Sequence, residues 1–419
     1  MKKGDLISSF VTSISLGALI LGGSKLLNFI LKILVSQLGV TNFGDYYLAT
    51  ATFLGLTTIA ALGVPMSATR FISFLKGKNQ SNAIHNIIFS ATTAIGISSC
   101  VIGAILYTYA DVIGTLLHAT HTSPYLRILS FGFIGSTITL LVRGALLGLM
   151  RIRLSYLTEA TEIGLRFVFT IIGILMLRWG VVGALIGYTM GTLGAALINA
   201  FILVKVSAIK HFSPQLSGRF LHFTIPVSIS EIITATTNIG LLYIIRAKGD
   251  ADTVGYYAAA VSIAALIHVV PQMVLSVFLP AASRVYAQKK SVLPIYKVLM
   301  LWLGVVVLLP SAILIVFGST ITLHLFGPSY SPANQILSVL VTAYAIYALI
   351  SWPNRQLLDM AGYTKENLWL TTVRILINIT ALFFVAKNMD GFGLATAMLC
   401  GWIGESIGSM LLVKQKRLL

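Results

Sequence analysis

The sequence predicts an all-α, polytopic membrane protein with about 12 transmembrane helices. Hydrophobic residues make up 57% of the 419 residues, charged residues only 10%, and the mean hydropathy is +0.92. The apolar residues form segments of about 20 residues or more, the length a helix needs to cross a bilayer. Backbone groups in lipid must be hydrogen-bonded within their own segment, so these segments are predicted to be helices.

The first six predicted spans begin with an apolar segment after the basic opening Met1-Lys-Lys. This segment is too long for a cleaved secretion signal, which has only about 7–15 apolar residues, so it is predicted to be a permanent span. The following spans are separated by short polar loops. The six spans lie near residues 8–36, 46–75, 83–110, 125–149, 155–177 and 181–204.

A second set of six spans follows the polar stretch 205–218, which is the one candidate linker. This linker divides the chain into an N-terminal bundle, residues 1–209, and a C-terminal bundle, residues 210–419. No segment is suited to a soluble domain. The second set lies near residues 219–245, 255–284, 295–317, 333–358, 367–386 and 392–413.

The basic residues predict the orientation of the chain in the membrane. About 18 of the 29 Lys and Arg fall in the N-terminus, the even-numbered loops and the C-terminus, against about 4 in the odd-numbered loops. We therefore expect both termini on the cytoplasmic side of a cell inner membrane. This orientation and contact with anionic lipid account for the net charge of +17, so no nucleic-acid partner is expected.

Related patterns recur in the two sets of spans at an offset of about 212 residues, which indicates an internal duplication. Six spans return the chain to the same side, so the halves are predicted to be parallel repeats around a central cleft. The matching positions are Gly44 with Gly255, Tyr46 with Tyr257, Arg70 with Arg284, Arg143 with Arg355, and Arg153 with Lys365.

Several runs carry a resemblance to a known group. One is LGVTNFGDYYLATATFLGLTTIAALGVPMSATRFIS, Leu38–Ser73, and the second half adds IPVSISEII, VGYYAAA, LPAASR, LLDMAGYTKENLW and GFGLATA. These runs resemble the polysaccharide (O-antigen type) flippases of the multidrug/oligosaccharidyl-lipid/polysaccharide exporter superfamily. The resemblance implies two six-helix bundles around a cleft that opens alternately to each side. It also implies a substrate of polyprenyl-diphosphate-linked oligosaccharide.

Three polar residues lie on one face of the first span: Lys25, Asn28 and Lys32. A central Lys costs about 2.5–3.5 kcal/mol on insertion, so a wet cavity or an anionic partner must compensate it. A diphosphate suits this face. Lys32 is nearer the outer side, where snorkelling to the headgroups is the alternative.

Five arginines are further candidates for the substrate path. Four lie at or near predicted cytoplasmic ends of spans, where interfacial anchoring is the alternative to a rim that attracts anionic headgroups. The fifth, on the eleventh span, has no acidic residue at i±4 and is a candidate for lining a polar route. These residues are Arg70, Arg143, Arg284, Arg355 and Arg374.

Acidic residues within the predicted spans are candidates for structural ion pairs or for proton coupling. Glu162 and Arg166 are spaced i,i+4 and predict a structural ion pair. Glu231, in the seventh span, is a candidate for carrying a coupling proton, with neutralisation by a neighbouring helix as the alternative. Glu405 is a weaker candidate of the same kind. A stripe of small residues, Gly183 with its successors at i+4 and i+8, predicts close helix packing.

Motifs for metal or nucleotide chemistry are lacking in the sequence. The HxxH of His118 and His121 has no accompanying glutamate or further nearby ligand for catalytic zinc, and there is no phosphate-binding GxxxxGK[ST] motif. We therefore expect transport without enzymatic chemistry, cofactor or metal.

The predicted function is flipping of lipid-linked oligosaccharide units from the cytoplasmic to the outer leaflet for surface polysaccharide assembly, with membrane lipid and a polysaccharide polymerase complex as candidate partners. One alternative is an ion-coupled multidrug extruder of the same superfamily, which needs acidic residues for organic cations, whereas the first span has lysines. Another is a non-transporting membrane scaffold of a glycan-assembly complex. The twelve-span major facilitator class is disfavoured by the repeat pattern.

Overall fold

A computed structural model describes residues 3–77, 81–116, 119–206, 214–250, 252–275, 278, 282, 291–384, 390–416 and 418. No strand occurs among these residues, and most of them are helical. The α-helices are α1 (Lys3–Ser36), α2 (Val40–Ala61), α3 (Val64–Gly77), α4 (Ser81–Thr108), α5 (Ala110–Leu116), α6 (Ser123–Ser130), α7 (Phe133–Gly148), α8 (Ile152–Ile171), α9 (Gly180–Val206), α10 (Pro214–Lys248), α11 (Thr253–Ala264), α12 (Leu293–Phe326), α13 (Ala333–Ile346), α14 (Trp352–Ala361), α15 (Thr364–Phe384) and α16 (Gly391–Gln415).

The all-α membrane architecture predicted from the sequence is confirmed. Within the described residues, nine helical segments are long and apolar enough to cross a membrane. The count rises to 11 if two bent pairs are single spans, α2 with α3 at 45° and Thr120–Ser130 with α7 at 55°. Helix α8 is not among them because it carries four charged residues. Together with α8, these segments follow the order of the predicted spans.

The chain separates into two compact units. The first comprises Met1–Leu31 and Leu48–Ile239, and the second comprises Lys32–Tyr47 and Gly240–Leu419. The turn between α1 and α2 thus belongs to the second unit, although it precedes most of the first in sequence. The boundary predicted between residues 209 and 210 stays a prediction.

Close contacts hold the turn between α1 and α2 within the second unit. Gly44 packs so tightly that a Cβ atom there would lie 2.8 Å from the backbone nitrogen of Gly255, its match in the sequence repeat. The Tyr330 hydroxyl donates a hydrogen bond of 2.9 Å to the carbonyl of Ser36. Glycine is required where Gly44 meets Gly255, because any side chain there would push the two helices apart.

The glycine stripe on α9 packs directly against α8, as the small-residue spacing predicts. A Cβ atom at Gly187 would lie 2.5 Å from the backbone carbonyl of Phe169, and one at Gly191 would meet the backbone of Arg166. The two helices therefore touch through their backbones. This close approach fixes the position of α8, which carries several of the charged residues described below.

Replacing Gly187 with alanine is expected to destabilise the protein by about 1–3 kcal/mol, because the added methyl group has backbone atoms in its place. The measurement is the thermal unfolding midpoint of the purified protein in detergent. Gly164→Ala, on α8, is the matched control, since a Cβ atom there would meet nothing within 4 Å. Equal midpoints for the two variants would contradict backbone contact at Gly187.

Candidate functional site

One buried carboxylate in the first unit joins two cations from two other helices. The Glu159 side chain on α8 is only 5% exposed. Its Oε1 lies 2.8 Å from Nζ of Lys25 on α1, and its Oε2 lies 2.5 Å from a guanidinium nitrogen of Arg143 on α7. The cations remain partly accessible, with 30% of the Lys25 side chain and 24% of the Arg143 side chain exposed. We call Lys25, Arg143 and Glu159 the first ion cluster.

A second ion pair lies one turn further along α8. Arg166 binds Glu162, as their i,i+4 spacing predicts. The Arg166 Nε also donates to the Thr192 hydroxyl at 2.9 Å, and its guanidinium lies 4.0 Å from the centre of the Tyr188 ring. Because Arg166 is held on several sides and is mostly buried, this pair is a structural part of the first unit.

Helix α3 holds the end of α7 that carries Arg143. The hydroxyls of Thr69 and Ser73 donate to the carbonyls of Gly144 at 2.9 Å and Gly148 at 3.1 Å. Gly148 is the last residue of α7, where backbone acceptors have no partner within the helix, and Gly144 lies one turn earlier. The helix is thereby anchored next to the first ion cluster.

The second unit has a corresponding cluster around Glu405 on α16, whose side chain is fully buried. Its Oε1 lies 2.6 Å from Arg355 on α14, and its Oε2 lies 3.3 Å from Nε of Arg374 on α15. Arg355 is 22% exposed and Arg374 is 9% exposed. We call Arg355, Arg374 and Glu405 the second ion cluster.

The two clusters share contacts at a fixed offset, as the internal duplication predicts. Ser155 donates to the carbonyl of Arg143 at 3.1 Å, and Asn367 donates to the carbonyl of Arg355 at 3.1 Å. Both contacts join residues 12 positions apart. Sixteen positions after each arginine, however, the first half has an acidic partner and the second half has Thr371. The second half therefore takes its carboxylate from another helix.

Four of the residues proposed from the sequence are thus in ion clusters, each in its own unit: Lys25 and Arg143 in the first, Arg355 and Arg374 in the second. The others lie elsewhere. Arg70 is exposed on α3, Asn28, Lys32 and Glu231 are half-buried, and Arg284 lies outside the described residues.

The role of the two shared carboxylates, Glu159 and Glu405, was not predicted from the sequence. Glu159 stood only one turn from a predicted pair, and Glu405 was a weak candidate for proton coupling. One signal in the sequence could have indicated that Glu159 lies next to Arg143. The two residues are 16 positions apart, and the matching Arg355 and Thr371 have the same separation in the second half. No comparable signal indicated that Glu405 lies next to Arg355 and Arg374.

The first ion cluster has more positive than negative charge. Its two cations share one carboxylate, which leaves an excess positive charge at membrane depth. Such a charge is costly in lipid unless water or an anion compensates it. The first ion cluster is therefore suited to attracting an anionic group. In the second ion cluster, the half-buried Asp359 also acts on the Arg355 guanidinium, in addition to Glu405. Among the described residues, no group of three or more His, Cys, Asp or Glu side chains is arranged to hold a metal ion.

Comparisons with known proteins agree with this architecture. The family model described as "Polysaccharide biosynthesis protein" matches residues 10–286. No curated protein matches the chain significantly.

Three similar solved structures are MATE or MOP-superfamily transporters, each with a TM-score of 0.74. A MATE in complex with MaL6 is 19% identical, with 96% of this chain and 95% of that chain covered. An inward-facing multidrug resistance MATE family transporter is 18% identical, with 94% of each chain covered. A MOP superfamily transporter from Pyrococcus furiosus is 19% identical, with coverage of 97% and 95%.

At these identities the solved structures show a shared fold. The family model covers more than half of the chain and matches the polysaccharide flippase resemblance seen in the sequence. The chain therefore belongs to the polysaccharide biosynthesis protein family and has the fold of the MOP-superfamily transporters.

Proposed function

We propose that the protein flips a polyprenyl-diphosphate-linked oligosaccharide from the cytoplasmic to the outer leaflet for surface polysaccharide assembly. Membership of the polysaccharide biosynthesis protein family and the transporter fold support a role in transport for this process. The choice of a lipid-linked anionic substrate is argued from the first ion cluster.

The carrying observation is that Glu159 holds Lys25 and Arg143 side by side while both cations stay partly accessible. A diphosphate has several oxygens that accept charge-assisted hydrogen bonds from ammonium and guanidinium groups. Because the cations are already positioned by their shared carboxylate, binding requires little further ordering of side chains. The excess positive charge is compensated when the diphosphate arrives.

In the proposed cycle, the first ion cluster binds the diphosphate while the polyprenyl tail stays in lipid. Alternating access then exposes the headgroup on the outer side. The protein lies in the inner membrane with both termini in the cytoplasm, and a polysaccharide polymerase complex receives the product. A membrane potential supplies about 2.3 kcal/mol per charge per 100 mV, which favours outward movement of an anionic headgroup. Glu231 is a candidate for coupling to an ion gradient.

The test is the leaflet location of the lipid-linked glycan in cells that lack the protein. We expect inner-leaflet accumulation in these cells, correction by the wild-type protein, and no correction by Lys25→Ala at matched membrane levels. Arg127→Ala is the matched control, because it removes a cation from an exposed ion pair with Asp111 and leaves the cluster intact. Normal export without the protein, in cells with no second flippase, would overturn the proposal.

A multidrug extruder is the second candidate, because the similar folds include multidrug resistance MATE family transporters. An organic cation needs an accessible negative charge, whereas Glu159 and Glu405 are each paired with two cations. Drug sensitivity of the deletion cells with normal glycan export would favour this candidate. We expect instead that the deletion cells have defective glycan export and unchanged drug sensitivity.

A further inference from the structure

The second unit contains five ring side chains in mutual contact, which we call the aromatic cluster. The rings of Tyr347 and Trp402 stack with centroids 5.3 Å apart, and those of His268 and Tyr344 stack at 4.4 Å. Trp352 stacks on Tyr347 at 5.7 Å. Tyr344 and Trp402 are buried, whereas His268, Tyr347 and Trp352 are half-buried.

A local change of helix geometry assembles part of this cluster. Between α13 and α14, residues Tyr347–Ser351 form a π-helical turn. In an α-helix with 3.6 residues per turn, side chains five positions apart point to different faces. The wider π turn, with its i to i+5 hydrogen bonds, brings Tyr347 and Trp352 onto one side, where their rings lie within 22° of parallel. Such turns are frequent at functional sites.

The aromatic cluster adjoins the second ion cluster. Trp352 precedes Arg355 by three positions on α14, and Trp402 precedes Glu405 by three on α16, so each pair shares a helix face. The Tyr347 side chain lies near the guanidinium groups of Arg355 and Arg374. Flat apolar surfaces thus lie beside two guanidinium groups and the carboxylates that act on them.

This combination selects among ring-containing ligands. Aromatic faces alone attract organic cations, but the guanidinium groups of Arg355 and Arg374, which lie near Tyr347, repel them. A sugar ring is better suited, because its C–H face packs on an aromatic ring while its hydroxyls accept hydrogen bonds from the arginine donors.

We propose that the aromatic cluster, with Arg355, is a glycan subsite that binds a sugar ring of the oligosaccharide. This proposal rests on the proposed flippase function. Trp352 and Tyr347 supply the stacking surface, and Arg355 supplies hydrogen-bond donors.

The test compares two probes on full-length protein in lipid nanodiscs by native mass spectrometry. One probe is polyprenyl diphosphate, and the other is polyprenyl diphosphate carrying the oligosaccharide of the host cells. We expect wild-type protein to bind the glycosylated probe more tightly. We expect Trp352→Leu or Tyr347→Leu to weaken binding of the glycosylated probe by about two- to tenfold, the range expected for one aromatic contact. Binding of the glycan-free probe is expected to stay unchanged.

Two variants control for packing effects. Trp352→Phe keeps an aromatic face and is expected to retain most of the preference for the glycosylated probe. Trp369→Leu removes a ring that is 63% exposed on α15, outside the aromatic cluster, and is expected to change neither affinity. Comparable thermal midpoints verify that all variants are folded.

The outcomes separate the two proposals. Suppose that wild-type protein binds both probes, and that the leucine variants bind both of them as tightly as the wild type or lose the same affinity for both. The glycan subsite is then overturned and the flippase function stands. If wild-type protein binds neither probe, the flippase proposal fails with it. Tight binding of tetraphenylphosphonium that depends on Trp352 would identify the aromatic cluster as an organic-cation site and overturn the subsite.

Discussion

Replacing Glu405 with glutamine is expected to remove most of the folded protein from the membrane. The side chain is fully buried and is shared by Arg355 and Arg374, which come from two other helices. Glutamine has nearly the same shape but no charge, so both guanidinium groups lose this carboxylate. Breaking a buried ion pair in this way costs about 3–5 kcal/mol, a large part of a typical folding free energy. The measurements are the membrane level and the thermal unfolding midpoint.

Two further variants show whether the lost charge is the cause. Glu366→Gln removes a carboxylate from a partly exposed pair with Lys416 and is expected to have little effect. Replacing Glu405, Arg355 and Arg374 together by leucine and methionines removes all three charges, and we expect most of the stability to return. If the triple variant is as unstable as Glu405→Gln, packing rather than charge explains the loss.

Substitutions of Lys25 and Glu159 are expected to affect stability in a strongly non-additive way. Lys25→Met leaves Glu159 paired with Arg143, so the cost is small. Glu159→Gln leaves two cations without their shared carboxylate and is expected to cost about 3–5 kcal/mol. In the double variant one of those cations is gone. The combined loss should therefore be smaller than the sum of the single losses by about 0.5–3 kcal/mol.

Unfolding free energies of the wild type, both single variants and the double variant provide this measurement. The exposed pair of Arg127 and Asp111 supplies a control cycle, because surface ion pairs contribute at most about 1 kcal/mol. Additive losses for Lys25 and Glu159 would mean that their ion pair contributes no coupling. We expect Lys25→Met to keep the protein folded, and a loss of transport in this folded variant would be assigned to the site itself.

The features that were predicted correctly from the sequence are those with a local physical signal. Segment length and hydropathy predicted the helices because a bilayer demands about 20 apolar residues per span. The pairing of Glu162 with Arg166 followed from helix periodicity, which places residues four apart on one face. The contact of Gly187 with α8 likewise followed from the spacing of small residues. Each of these properties depends on one segment or on its periodicity.

Hydropathy, spacing and charge along the chain were enough to predict the all-α membrane fold, the internal repeat and the presence of cations at membrane depth. The carboxylate that each cation binds became known from the folded chain, because Lys25 and Glu159, or Arg374 and Glu405, come together through the rotation and packing of separate helices. The aromatic cluster also depends on a π turn that no periodicity in the sequence indicated. Hydrophobic patterns specify which residues avoid water, whereas partner choice among buried charges and rings is set by helix contacts distant in sequence.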